Sequence, residues 1–249
     1  MNEVPPAVVP AAWVAGEIIA SVPERPPIPF EAIPILASLS GDQRAALSPL
    51  CELIAFEKGA TIFGEGDPAE KIYFLFAGRV KIVKASRDRE LILEILGPGE
   101  PVGAVAVFER RPFPAAAVAL EPCGLVSIPE RSFFALIEKN PEITRRLLAG
   151  LTLRLITLNR RLADMTGSVA YRCARLFETL AARIGQKRER GVFLPLPLSR
   201  QEIADLAGTT IETAIRVMSR WQKAGLIETE KDGFLILDAS GLRSAADAE

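Results

Sequence analysis

The segment from Ser199 to Gly225, SRQEIADLAGTTIETAIRVMSRWQKAG, constrains the fold of this chain more than any other. Ser199 and Glu202 have the spacing of a capping box, in which a hydroxyl and a carboxylate satisfy backbone N–H groups that the first helical turn leaves unpaired. Ala207-Gly208-Thr209 interrupts the helix, and Thr209 with Glu212 repeats the capping spacing. In the second helix Ala214, Val217, Met218 and Trp221 fall on one face, and Gly225 supplies a stop. The opposite side carries Glu212, Ile215, Arg216 and Ser219, flanked by Arg220. Two short helices joined by a tight turn, with a carboxylate and a guanidinium one turn apart, predict a helix-turn-helix that enters the DNA major groove. There Arg216 can grip guanine O6 and N7, and Glu212 can accept from the cytosine amino group. An ordinary helical hairpin with a solvated charged face has the same local pattern, so the rest of the chain decides between them.

At 249 residues the chain has room for one large domain or two modest ones. The net charge is −1, and from Ser168 onward 12 Lys and Arg face 11 Asp and Glu. Any affinity for DNA must therefore come from local placement of charge, and it should weaken with salt. Histidine is absent, which excludes His-dependent triads and His-ligated zinc or haem. With no nucleophile motif and no phosphate loop either, the chain is expected not to be an enzyme and to need no metal or cofactor. The three cysteines, Cys51, Cys123 and Cys173, form no CxxC pair and are too few for an iron–sulfur cluster. They read as buried, inert thiols in a reducing cytoplasm, with a redox role for Cys173 as the alternative. The apolar run Val8 to Val22 is broken by Pro10 and Glu17 and lacks a basic flank, so neither a signal peptide nor a membrane span is expected.

Residues 1–30 hold Pro5, Pro6, Pro10, Pro23, Pro26, Pro27 and Pro29, a density that predicts a loose tail with at most a helical turn around Ala12–Ala20. Residues 31–140 begin with a helix over Gly41–Cys51. Short runs of Val, Ile, Phe and Leu then alternate with Gly, Pro and Asp turns from Ala55 to Ile128, the pattern of an all-β sandwich or barrel. A short helix over Pro129–Asn140 precedes a long one over residues 141–166. There Leu148, Leu151, Leu155, Leu158, Leu162 and Met165 alternate at three and four residues for about three heptads, the seam of a coiled-coil homodimer. Ile143, Leu147, Leu153 and Ile156 suggest a second apolar face directed at the chain's own core. Residues 167–249 start at a hinge, Gly167, followed by a helix over Val169–Ile184 and a mobile basic tract, Lys187-Arg188-Glu189-Arg190. After the helix-turn-helix, Leu226–Thr229 and Phe234–Leu237 around Asp232-Gly233 read as a β-hairpin wing.

A β-roll, a long dimer helix and a C-terminal winged helix in this order resemble the CRP/FNR superfamily of transcription regulators. The resemblance is carried by Gly59 with Ile62-Phe63, Glu65-Gly66-Asp67, Tyr73, Gly78-Arg79-Val80, Gly97-Pro98-Gly99-Glu100, and Val102-Gly103 leading to Phe108. Asn140-Pro141 and Ser199-Arg200-Gln201-Glu202-Ile203-Ala204 continue it. It implies an α+β fold with a cyclic-nucleotide-binding-like jelly roll, and a homodimer that binds double-stranded DNA at a near-palindromic site. By the same resemblance RNA polymerase is a partner. The DNA-facing residues it implies are Ser199, Arg200, Gln201, Thr210, Glu212, Thr213, Arg216 and Arg220, with Glu212 and Arg216 reading bases. Ile211 stands where cyclic-AMP-receptor-like members carry Arg, and Ile215 matches neither group of the superfamily.

The effector pocket implied by the resemblance comprises Gly103, Ala104, Val105, Pro114, Ala115, Leu158 and Asn159. Nucleotide-binding relatives have a Gly-Glu-Leu turn for the ribose and an Arg-Ser pair for the phosphate. This chain has Gly103-Ala104-Val105 and Pro114-Ala115 there, and the missing charge-assisted bonds are worth about 1.5–3 kcal/mol each. No response to cyclic AMP is therefore expected, and the effector is left unknown. Arg110-Arg111 offers a displaced anion grip or merely a solvated loop. The other reading of the chain is a sensor whose apolar β-roll binds a non-nucleotide effector that gates DNA binding.

Overall fold

In the computed structural model, which describes residues 26–86 and 89–247, the apolar runs between Glu52 and Pro129 become eight antiparallel strands. Helix α1 (Gly41–Leu47) leads into β1 (Glu52–Phe56), β2 (Thr61–Phe63), β3 (Lys71–Ala77), β4 (Val80–Ser86), β5 (Arg89–Leu96) and β6 (Pro101–Val102). Helix α2 (Ala104–Glu109), β7 (Ala116–Ala119), β8 (Cys123–Pro129) and α3 (Glu130–Lys139) follow. One sheet has the order β1-β8-β3-β6 and the other β2-β7-β4-β5. Between them lies an apolar cluster with Phe63, Leu75, Val80, Leu96, Val102, Phe113 and Leu125. Strand β8 is buried along nearly its whole length because the other face of its sheet is covered as well. A second cluster there joins Phe74, Val126 and Ile128 to Leu36, Leu47 and Phe133. Such double burial explains why CGLVSIP reads as a nearly continuous apolar run rather than an alternating one.

Most of the proline-rich tail, with the turn at Ala12–Ala20, lies outside the described residues. Its end departs from expectation: Ile28 and Phe30 are 7 % and 5 % exposed and belong to the core, so the fold begins by Ile28 and not after residue 30. Proline fixes φ but leaves neighbouring apolar side chains free to bury, and density of proline alone did not reveal that. Helix α1 is shorter than expected, closing at Leu47 with a 3-10 turn over Ser48–Leu50.

Helix α4 (Pro141–Asp164) opens with proline in its first turn, where the missing N–H costs nothing. Ile143 and Leu147 are buried in the second cluster. Leu148, Leu151, Leu155, Leu158, Leu162 and Met165 are between 41 % and 70 % exposed. Leu153 and Ile156 are exposed too, so the expected second face buries only Ile143 and Leu147.

The contacts divide the chain into Met1–Thr152 and Leu153–Glu249. Within the latter, α5 (Val169–Ile184), β9 (Gln186–Arg188), β10 (Gly191–Leu194), α6 (Arg200–Leu206) and α7 (Ile211–Lys223) are followed by β11 (Ile227–Glu230), β12 (Gly233–Ile236) and α8 (Ala239–Asp247). The sheet order is β11-β12-β10-β9. The Phe177 ring meets Trp221 at 6.1 Å and Phe234 at 5.4 Å, both nearly edge-on, and these rings form the centre of the unit. The tract Lys187–Arg190, expected to be mobile, is instead the end of β9 and its tight turn into β10. Arg188 pairs with Glu230 at 3.0 Å and stacks over Phe193, and Arg190 pairs with Glu228 at 2.5 Å. A charge run looks solvated in a sequence when its partners lie about 40 residues away.

Gly78 turns β3 into β4 with φ +77°, and a Cβ there would lie 2.4 Å from the Pro122 carbonyl oxygen and 2.6 Å from Cys123 Cβ. Gly78→Ala is expected to cost at least about 1–3 kcal/mol through its backbone conformation alone. Gly41→Ala, where nothing lies within 4 Å, should change stability by less than about 0.5 kcal/mol. Thermal unfolding of the two variants checks this difference.

Candidate nucleic-acid interface

Ser199 begins α6 as the sequence requires: its hydroxyl accepts from the Glu202 N–H at 3.2 Å, and Glu202 accepts from the Ser199 N–H at 2.9 Å. Gly208, at φ +64°, takes the left-handed turn, and the Thr209 N–H returns to the Ala204 carbonyl at 2.9 Å. The second cap differs from expectation. Thr210, not Thr209, has the extended backbone before Ile211, and its hydroxyl accepts from the Thr213 N–H at 3.4 Å, so no capping box with Glu212 forms. The spacing of a hydroxyl three residues before an N3 partner fits both threonines, and only the turn geometry chooses.

Helix α7 buries Ala214, Val217, Met218 and Trp221 and exposes Glu212, Ile215, Arg216 and Arg220, with Ser219 and Thr213 half-buried. Glu212 sits in the first turn, where its carboxylate accepts from its own backbone N–H and from the Thr210 hydroxyl. These bonds hold it below the usual carboxylate range, so it is an acceptor at neutral pH. A helix with one packed face and an outward Glu and Arg presents an acceptor and a bidentate donor side by side, the chemistry that distinguishes a G·C pair in the major groove.

Ser199, which caps α6, and Gln201 on α6 are exposed, and Gln201 donates to Asp205 at 2.9 Å. Arg200, which the family resemblance assigns to DNA, turns inward. Its Nη1 lies 3.1 Å from Met218 Sδ, its Nη2 donates to Thr229 Oγ1 at 2.9 Å, and its guanidinium faces the Phe234 ring at 5.5 Å. Burial draws its pKa below the ordinary arginine value. Thr229 also accepts from Gln222 at 3.0 Å, so Arg200 ties α6 and α7 to the wing rather than reaching outward.

Arg172 on α5 is a residue that sequence reasoning missed. Its Nε donates to the Ala207 carbonyl at 2.8 Å, its Nη2 to Gly208 at 3.2 Å and its Nη1 to Gly167 at 2.8 Å. One guanidinium thus satisfies carbonyls left unpaired at the end of α6 and joins the helix-turn-helix to the expected hinge. At that hinge Asp164 accepts from the Tyr171 hydroxyl at 3.3 Å and lies 3.5 Å from Arg175. An arginine inside an amphipathic helix carries no local signal of such a role, because two of the three acceptors, Ala207 and Gly208, lie about 35 residues away.

The seven residues expected to line an effector pocket differ in burial. Ala104 and Ala115 are buried, Val105 and Pro114 are exposed, and Leu158 and Asn159 are exposed on α4. Gly103 meets rings the sequence did not single out for the pocket: a Cβ there would lie 2.5 Å from Phe113 and 3.1 Å from Phe63. Those two rings stack at 3.7 Å, and Phe113 is strapped to the turn at Gly66-Asp67 by backbone bonds of 2.8 and 2.9 Å. Arg110 pairs with Glu130 at 3.3 Å and lies over Phe134. Among the described residues no group of His, Cys, Asp and Glu is arranged to hold a metal ion, and no helix is long and apolar enough to cross a membrane.

Cys51, Cys123 and Cys173 are all buried. Burial pushes the Cys123 thiol up to about 12 and Cys173 to about 11. A thiol near 11 is ionised in roughly one molecule in a thousand at pH 8, and the thiolate is the reactive form. Iodoacetamide at pH 8 should therefore leave the native protein unmodified over hours and add to all three thiols in urea, as counted by mass spectrometry.

A model of the cyclic nucleotide-binding domain matches residues 53–140, and a model of the Crp-like helix-turn-helix domain matches residues 171–245. The chain is 31 % identical over 204 residues to a CRP-like cAMP-activated global transcriptional regulator of Mycobacterium tuberculosis, covering 81 % of this chain and 91 % of that protein. It is 29 % identical over 230 residues to the nitrogen fixation regulation protein FixK of Bradyrhizobium diazoefficiens, covering 86 % and 90 %. Among solved structures, the c-di-GMP responsive global regulator CLP of Xanthomonas campestris superposes with a TM-score of 0.64 at 26 % identity, covering 76 % of this chain and 94 % of that one.

Proposed function

The chain belongs to the CRP/FNR family of transcription regulators, and from that premise we propose that it acts as a cytoplasmic homodimer on a near-palindromic DNA site without needing cyclic AMP. The family consists of DNA-binding regulators, not enzymes. The observation that carries the proposal is the outward pair Glu212 and Arg216 on α7, whose opposite face is fixed by Trp221 and Met218. Each copy offers one such helix, and two copies related by a two-fold axis would enter successive major grooves about one turn apart. The exposed leucine stripe of α4 supports the dimer, since a row of large apolar side chains this regular is stable in water only against a partner. RNA polymerase is the protein partner that the family likeness supports.

Independence of cyclic AMP is supported by side-chain chemistry. Ala104 presents a buried methyl where nucleotide-binding relatives place a carboxylate, Pro114-Ala115 replaces the Arg-Ser pair, and Phe63 and Phe113 crowd the Gly103 turn. The relatives named above are described as cAMP-activated in one case and c-di-GMP responsive in another, so this architecture does not prescribe its effector. A second reading, a non-nucleotide apolar effector gating DNA binding, is favoured by the wholly apolar cluster between the two sheets.

Selection from a random DNA pool, followed by fluorescence anisotropy without added ligand, tests the proposal. A two-fold symmetric site should emerge. Glu212→Ala and Arg216→Ala should each lose about 1–3 kcal/mol of discrimination at one G·C pair while circular dichroism stays unchanged. A folded dimer that selects no site would instead support the gated reading. Calorimetry with cyclic AMP should give no binding heat; a micromolar affinity would overturn that part of the proposal.

A further inference from the structure

Between residues 166 and 245 one large hydrophobic side chain is exposed among the described residues: Ile215, at 43 %. It lies on the outward face of α7, three residues after Glu212, next to Arg216 and four before Ser219. The other exposed positions of α7, Glu212, Arg216, Arg220, Gln222 and Lys223, are all polar. Single exposed apolar residues are common on protein surfaces, and burial elsewhere in the chain does not need this one. Its place singles it out. A β-branched residue brings the helix no advantage over Ala, Lys or Gln, and here it stands between the two side chains assigned to base reading.

Base edges in the major groove offer hydrogen-bond donors and acceptors at every pair but one kind of apolar group, the 5-methyl of thymine. Ile215 can neither donate nor accept a hydrogen bond. Opposite cytosine it would face a bare ring carbon and leave the amino group unpaired, and opposite a purine it would cover the N7 acceptor. We propose that Ile215 is a specificity-determining residue that packs against the 5-methyl group of a thymine beside the G·C pair read by Glu212 and Arg216. Side chains three and four residues apart on a helix are about 5–6 Å apart, which corresponds to one or two base steps of about 3.4 Å. The thymine therefore lies within two steps of that pair, once in each half-site. Glu212 sits in the first turn of α7, and Ile215 lies about one turn further along the exposed face.

This assignment rests on the reading of α7 as the base-reading helix, and the test separates the two. The full-length protein is titrated onto three duplexes: its selected site, the same site with that thymine replaced by deoxyuridine in both half-sites, and the site with the G·C pair inverted. Deoxyuridine removes the methyl group and nothing else. Wild-type protein should bind the deoxyuridine duplex about fourfold more weakly per half-site, roughly 15-fold for the dimer, the worth of one buried methyl each. Ile215→Ser should bind the thymine and deoxyuridine duplexes alike and still reject the inverted pair. Equal wild-type binding to thymine and deoxyuridine, or a selected site with no thymine within two steps, would overturn the assignment of Ile215 while leaving the Glu212–Arg216 reading in place. Unchanged wild-type binding to the inverted pair would overturn both.

Discussion

Helix α7 can show Glu212, Ile215 and Arg216 to the outside only because Ala214, Val217, Met218 and Trp221 hold its other face in the core. Trp221 is 1 % exposed and meets Phe177 edge-on, and Phe177 in turn meets Phe234 of the wing. Rotation of α7 by a third of a turn would expose the indole and bury charge, and both changes are costly. The apolar contact therefore fixes which side chains face outward. Polar chemistry on the reading face acts on a surface that packing has already aimed.

Arginines do much of the work of connecting the elements around that helix. Arg172 closes the carbonyls at the end of α6 and reaches back to Gly167, and Arg200 joins α6 and α7 to Thr229. Arg188 and Arg190 are neutralised by Glu230 and Glu228. Many cations in this part of the chain are partnered internally, while Arg216 is exposed on the outward face of α7. A planar guanidinium with donors in a fixed fork suits this use, since it can satisfy two or three carbonyls from different turns at once.

The β-roll shows the same rule with apolar groups. Gly103 keeps the left-handed conformation on which the short helix α2 begins, at φ +79°. Around it stand Phe63, Phe113 and a buried alanine in place of charges. The turn is therefore retained as a packing device: no residue with a Cβ fits against the two stacked rings.

Local pattern alone determined a good deal here. The period of Ala214 to Trp221, the Ser199 capping box, the glycine-punctuated strand runs and Asn140-Pro141 ahead of α4 are short-range signals, readable because helix and strand periods and cap spacings act within a few residues. Tertiary structure decided what depends on partners far away in the chain. It placed the cap at Thr210 rather than Thr209, turned Arg200 inward and folded Lys187–Arg190 into the end of β9 and its turn. It also drew Ile28 and Phe30 into the core, formed α8 around the buried Leu242, and gave Arg172 the carbonyls of Ala207 and Gly208. A side chain's type limits the bonds it can make, but which bond it makes is set by groups that only the folded chain brings within reach.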